Sequence, residues 1–266
     1  MTVRQLAVRF DCEACALIGI IHMPERPRAR GVLMLTGGPQ YRVGSHRQFV
    51  LLARELAAAG TPVMRFDHRG MGDSAGAPRR FQELDADIHT AVGEFIRQAP
   101  ALREVVIWGL CDAASAGALY AHRDRRVCGL ILLNPWVRTE QGAARATLRH
   151  YYLARMRDGQ FWRKLMTGKV ALGATISSLG QQARQAARGS SDSLAQRVFD
   201  SLGAFVGPIL IILSGADLTA REFSSHLVKS ELDCTRVDIA HATHTFSRRE
   251  WRDQVARACI DWIVSW

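Results

Sequence analysis

Apolar and polar positions along this 266-residue chain switch repeatedly between two periods. Alternating or continuous apolar runs of a few residues predict strands, and apolar positions three and four apart predict helices. Residues 3–10 and 16–22 predict two strands joined by a turn. Residues 31–36 are nearly all apolar, which suits a strand buried on both faces. After the loop 37–44, a helix is expected from Ser45, because Ser45 and Gln48 make a capping-box pattern. Phe49, Leu52, Ala53 and Leu56 share one face of it, and Gly60 suits its C-terminal stop. Residues 62–67 predict the next strand and 81–98 a second helix, with Ile88, Val92, Phe95 and Ile96 inward. Another strand–helix pair starts at Val105, and residues 127–135 read as a further strand. The alternation lapses over 137–206, which looks helical and polar. It resumes with strands near 208–213 and 234–239, and a closing helix carries Trp251, Val255, Cys259 and Trp262 on one stripe. Strands alternating with helices imply an α/β architecture, a mostly parallel sheet with helices on both faces. The pattern divides the chain into a core, 1–136 with 207–266, and a helical cap insertion, 137–206.

The strand–helix pair at Val105 carries the first candidate chemistry. An apolar strand passes Gly109, Leu110, Cys111, Asp112 and Ala113, then continues as an Ala-rich helix. Strand, sharp turn and helix in that order are the setting of a nucleophile elbow, in which small residues two before and two after the nucleophile let strand and helix pass closely. Gly109 and Ala113 fill those places, and Cys111 stands where serine is usual. The bland alternative is a buried cysteine packing as a small hydrophobe.

A cysteine nucleophile needs a base, and the base needs an orienting group. In the α/β-hydrolase order these follow the nucleophile as acid, then histidine. Asp217, just after the 209–213 strand, is the expected acid, with Asp233 and Asp238 as alternatives. His244, in the loop after the last strand, is the expected base, with His241 as the alternative. His46, His68 and His122 have ordinary surface or capping explanations. The oxyanion hole is expected from the backbone N–H of Asp112 and one N–H of the 37–44 loop. Pro39 cannot donate, which leaves Gly38 or Gln40. Tyr41, Arg42 and Arg47 in and beside that loop are expected to touch substrate. Gly72-Asp73-Ser74-Ala75-Gly76 also matches G-x-S-x-G, but it follows a loop and leads into Pro78-Arg79-Arg80, so Ser74 is not expected to be the nucleophile. Ser115, one turn into the elbow helix, is expected to pack.

Charge changes the picture of the insertion more than that of the core. The chain carries a formal charge of +10, almost all of it from arginine, since only Lys164, Lys169 and Lys229 are lysines. Between Arg138 and Asp200 eleven basic residues face four acidic ones, so most of the excess lies in the insertion. A solvated helical face explains this; a landing surface for an acidic or phosphate-bearing partner is the sharper reading. No basic run interleaved with aromatics points to nucleic acid. No apolar run reaches the ~18 residues of a membrane span, and the N-terminus lacks a signal-peptide core, so a cytoplasmic protein is expected. The six cysteines are scattered, against a disulfide framework. Cys12 and Cys15 form a CxxC, but zinc would need further partners at suitable spacing. No metal or cofactor is expected.

Three stretches carry a resemblance: Gly37-Gly38-Pro39-Gln40-Tyr41-Arg42-Val43-Gly44-Ser45-His46-Arg47, Gly109-Leu110-Cys111-Asp112-Ala113-Ala114-Ser115, and His244-Thr245-Phe246-Ser247. With Phe66-Asp67-His68-Arg69-Gly70-Met71-Gly72-Asp73-Ser74, similar to an α/β-hydrolase β4 loop, they resemble the type-1 hydrolase associated with the exosortase A system. The resemblance spans nearly the whole chain and is weakest over 137–206. It implies an α/β-hydrolase fold with a cap, the Cys111, Asp217 and His244 assignments, and a bacterium that makes exopolysaccharide and sorts PEP-CTERM proteins. The elbow cysteine is also similar to that of dienelactone hydrolases, which lack this Gly-Gly-Pro-Gln loop. The expected reaction is hydrolysis of an ester or thioester through an acyl-Cys111 intermediate. The expected substrate is a small acyl compound, carried on CoA or an acidic acyl carrier protein. An acyltransferase or lactone hydrolase on the same site, and a non-catalytic binding protein, are the alternatives.

Overall fold

The alternating N-terminal segments form β1 (Val3–Cys12) and β2 (Cys15–Pro24), each longer than its pattern predicts. They pair antiparallel about the two-residue turn Glu13-Ala14, whose φ values of 46° and 62° give the backbone twist that tight hairpins favour. This computed structural model describes residues 2–38, 40–137 and 194–266. The insertion expected at 137–206, with its basic residues from Arg138 to Arg188, therefore lies largely outside the described residues.

The continuous apolar runs become β3 (Arg30–Met34), β4 (Val63–Asp67), β5 (Glu104–Leu110), β6 (Val127–Leu133) and β7 (Ile209–Ser214), all mostly or wholly buried. Strand β8 (Thr235–Ile239) closes the sheet with an edge pattern of exposed residues. The order across the eight-stranded sheet is β1-β2-β4-β3-β5-β6-β7-β8. β2 meets β4 antiparallel, and every pair from β4 to β8 is parallel. The described helices are α1 (Gln48–Ala58), α2 (Asp85–Gln98), α3 (Asp112–Ala121), α4 (Leu194–Ala204), α5 (Leu218–Leu227) and α6 (Arg249–Val264).

Strand alternation distributes side chains to two apolar layers. Val32, Met34, Val106, Trp108, Ile131 and Leu210 share one cluster with Phe49 and Leu56 of α1 and Trp251, Val255, Cys259 and Trp262 of α6. Ile107 points the other way, toward α3, where a Cβ on Gly117 would lie 2.8 Å from its Cγ2. Ile88, Val92 and Phe95 of α2 are buried as expected, while Ile96 is only half-buried. Among the described residues no helix is long and apolar enough to cross a membrane.

Two helix starts differ from the pattern. Ser45–Arg47 is a short 3-10 turn, and α1 begins at Gln48 behind Arg47, which sits at φ 61° with no side-chain cap. The Ser45–Gln48 capping box does not form. Backbone carbonyls of the preceding loop take the N–H groups instead: Gly44 O accepts from Arg47 N at 3.1 Å and Val43 O from Phe49 N at 3.2 Å. The helix expected over 81–98 is divided: Phe81–Glu83 is a separate 3-10 turn, and α2 starts at Asp85.

Candidate active site

Every parallel strand ends on the same edge of the sheet, and the loops leaving that edge carry the candidate residues, the usual ligand edge of such sheets. At the end of β5, Cys111 adopts φ 64°, ψ −123°, a conformation unfavourable for a residue with a side chain. It is held there by backbone bonds: Cys111 N donates to Leu133 O at 2.9 Å, and Cys111 O accepts from Ser115 N and Trp136 N, both at 3.2 Å. Gly109 is required. A Cβ there would lie 2.6 Å from backbone atoms of Ala113 and Ala114. Ala113 is fully buried in that crossing, and Cys111 is only half-buried. The strand–turn–helix geometry expected of an elbow is therefore present.

The other two expected residues come from loops more than a hundred residues downstream. Asp217 ends the loop after β7 and caps α5, accepting Ala220 N at 3.1 Å. Its Oδ2 lies 2.8 Å from His244 Nδ1, in the loop after β8. Burial, the largest influence on Asp217, pushes its pKa up. The hydrogen bond and charge of His244, with backbone N–H groups of Ala220 and Thr219, outweigh it and hold the carboxyl below its ordinary value. His244 is pushed up to about 10, first by its hydrogen bond to Asp217 and next by one to the Cys111 side chain. The alternatives stand apart: Asp238 pairs with Arg236 at 2.8 Å on the exposed edge, and His241 is exposed at φ 59°.

The oxyanion loop is less simple than expected. Gly38 N donates to Asp112 Oδ2 at 2.7 Å, so this candidate donor already has an acceptor. Gln40 is half-buried. Tyr41 is 41% exposed, and its hydroxyl donates to Asp73 Oδ2 at 3.3 Å. Arg47 is exposed at the start of α1. Arg42 departs from the expected substrate contact. It is buried, its guanidinium pairs with Asp67 and with Asp73 (2.8 Å), and its N–H donates to Asp67 Oδ1 at 2.6 Å. With both carboxylates on it, Arg42 ties the 40–42 loop to the loop after β4. Ser74 is likewise structural. It donates to Asp67 O at 2.6 Å and accepts Ile18 N at 2.9 Å. Ser115 packs in α3 and donates to Trp136 O at 2.6 Å. His68, for which a surface or capping role was expected, is 5% exposed, and burial lowers its pKa.

One residue of the site has no counterpart among the sequence candidates. Asn134, fully buried at the end of β6 with φ 44°, donates to Ser214 Oγ (2.8 Å) and His244 O (3.0 Å) and accepts Ser214 N (2.9 Å). It joins the end of β6 to β7 and to the histidine loop. The signal was a polar residue closing an apolar run just before Pro135.

The family model described as serine aminopeptidase, S33, matches residues 28–247. The chain belongs to this hydrolase family. Solved structures agree on the fold. An esterase of Pyrococcus furiosus superposes with a TM-score of 0.67 at 15% identity, covering 98% of this chain and 92% of its own. Dienelactone hydrolase from Anabaena variabilis gives 0.64 at 15% identity, covering 99% and 98%. The esterase Est1E from Butyrivibrio proteoclasticus, solved with ferulic acid, gives 0.65 at 18% identity, covering 97% and 98%. No curated protein matches the chain. The family is named for serine. At the turn between β5 and α3 this chain carries Cys111.

Proposed function

We propose that this chain hydrolyses esters or thioesters through an acyl-Cys111 intermediate. The observation that carries the reading is the His244 ring, bonded to Asp217 on Nδ1 and reached by the Cys111 side chain, with its pKa raised to about 10. At neutral pH His244 holds a proton, and Nε2 is the ring nitrogen left for the thiol. The Cys111 thiolate attacks the carbonyl carbon, and an S–C bond forms. The bond to the leaving alcohol or thiol breaks as His244 gives that group its proton. Water then attacks the acyl-thioester, His244 takes the proton from it, and the acid leaves with the thiolate restored. Asp217 orients the ring and stabilises its positive charge.

Thioesters and activated esters suit this nucleophile because acyl exchange between sulfurs is nearly isoenergetic. The similar structures, esterases and a dienelactone hydrolase, favour ester and lactone substrates. The basic excess between Arg138 and Asp200 favours an acyl group borne on CoA or an acidic carrier protein. Exosortase-linked exopolysaccharide metabolism is the setting that the resemblance of the elbow and oxyanion loops implies. The test is intact-mass spectrometry after incubation with a panel of acyl thioesters, esters and lactones. The expected result is one acyl mass on Cys111, accumulating in His244→Ala. Slow iodoacetamide labelling of Cys111, equal in wild type and His244→Ala, would overturn the reading and favour a binding protein.

A further inference from the structure

The carboxylate of Asp112 holds one of the two candidate donors of the oxyanion loop. Its Oδ2 accepts Gly38 N–H at 2.7 Å and its Oδ1 accepts Ala113 N–H at 3.0 Å. The neighbouring loop is shaped to it, since a Cβ at Gly37 would collide with Oδ1. Asp112 follows Cys111 directly, and Gly38 lies in the loop leaving β3, from which an oxyanion hole of this fold draws its second N–H. A negatively charged oxygen therefore already occupies that donor in the resting protein.

We propose that the Asp112 side chain is a latch, an internal occupant of the oxyanion hole that must rotate out before Gly38 N–H can serve the acyl oxygen. This rests on the reading of Cys111 as the nucleophile. The exchange is between two charge-assisted hydrogen bonds. A neutral carbonyl oxygen is too weak an acceptor to displace a carboxylate from an N–H. The oxyanion of the tetrahedral intermediate is not. Displacement therefore falls between the bound substrate and the transition state, so its cost appears in kcat and not in KM. Asp112 is half-buried, so its side chain is not sealed in the core.

The experiment compares wild type, Asp112→Ala and Asp112→Asn, each checked for folding by thermal melting, with a neutral activated ester. Alkylation of Cys111 by iodoacetamide, which forms no oxyanion, is measured in parallel. The expected result is a rise in kcat of about tenfold in Asp112→Ala, at unchanged KM. Asp112→Asn, which keeps an acceptor for Gly38 but loses the charge, should rise less. Alkylation should change by less than about threefold, the scale of a modest change in thiol ionisation. An unchanged or lower kcat in Asp112→Ala overturns the proposal, as does a rise matched by an equal rise in alkylation. Turnover by wild type with no gain in Asp112→Ala condemns the latch alone. No turnover and only slow alkylation in all three proteins condemns the nucleophile reading, and the latch with it.

Discussion

A residue with a side chain held at φ 64°, ψ −123° stores about 1–3 kcal/mol of backbone strain, and Cys111 bears that cost at the proposed nucleophile. The close passage of strand and helix makes it possible, and Gly109 makes the passage possible. Gly109→Ala places a methyl 2.6 Å from the backbone of Ala113 and Ala114. It is expected to lower stability by about 2–4 kcal/mol in urea unfolding, because backbone cannot yield as a side chain can. His244 gives a second prediction at this scale. Its pKa is raised to about 10, so the proton that the leaving group needs is present below that value and lost as pH rises through it. The alkaline limb of kcat/KM should therefore fall near pH 10. In Asp217→Asn the largest cause of the shift is gone, so the limb should move to lower pH. A pH–rate profile of both proteins checks it.

At the scale of elements, the site is held by contacts between strand ends. Asn134 spans β6, β7 and the loop after β8, and its partners lie 80 and 110 residues away in the chain. Asn134→Ala removes two donated bonds and one accepted bond and leaves Ser214 N buried without its acceptor. The expected loss is about 1–3 kcal/mol in thermal or urea unfolding, with kcat reduced as the histidine loop loosens. Unchanged stability and unchanged kcat together would contradict this. The oxyanion loop is tied down by a second device, Arg42 between Asp67 and Asp73. Asp67 is fully buried, so Asp67→Ala leaves a guanidinium short of its closest counter-charge. A loss of about 3–5 kcal/mol is expected in the same measurement.

On the scale of the whole molecule, the described sheet and helices hold the candidate residues, while most of the excess charge falls in another stretch of the sequence. Residues 1–137 and 198–266 form one unit, and the net charge of +10 is concentrated between Arg138 and Asp200. If that charge recruits an acidic carrier, salt should weaken recruitment without touching chemistry. Between 50 and 500 mM NaCl, kcat/KM for a CoA or carrier-protein thioester is expected to fall by about fivefold or more. With a small uncharged ester it should change by less than about twofold. Equal salt dependence for both substrates would rule out the carrier.

The order of the strands, the elbow and the loops holding Asp217 and His244 were legible in the chain because each is a local signal, whereas α5 between β7 and β8 was not expected. Periodicity sets an element, small residues permit a crossing, and a polar residue after an apolar run marks a functional strand end. The helix starts were legible only approximately: the Gln48 N–H that the Ser45 side chain was expected to accept goes to the Ser45 carbonyl instead. What the folded molecule alone decided is which polar groups are already matched. Arg42 reads as a free cation until Asp67, 25 residues on, is placed against it. Gly38 reads as a free donor until Asp112, 74 residues on, reaches it. Asn134 reads as the end of a strand until the histidine loop closes over it. Pattern along a chain reports burial, whereas the pairing of buried charge and hydrogen bonds depends on distances that only the packed sheet sets.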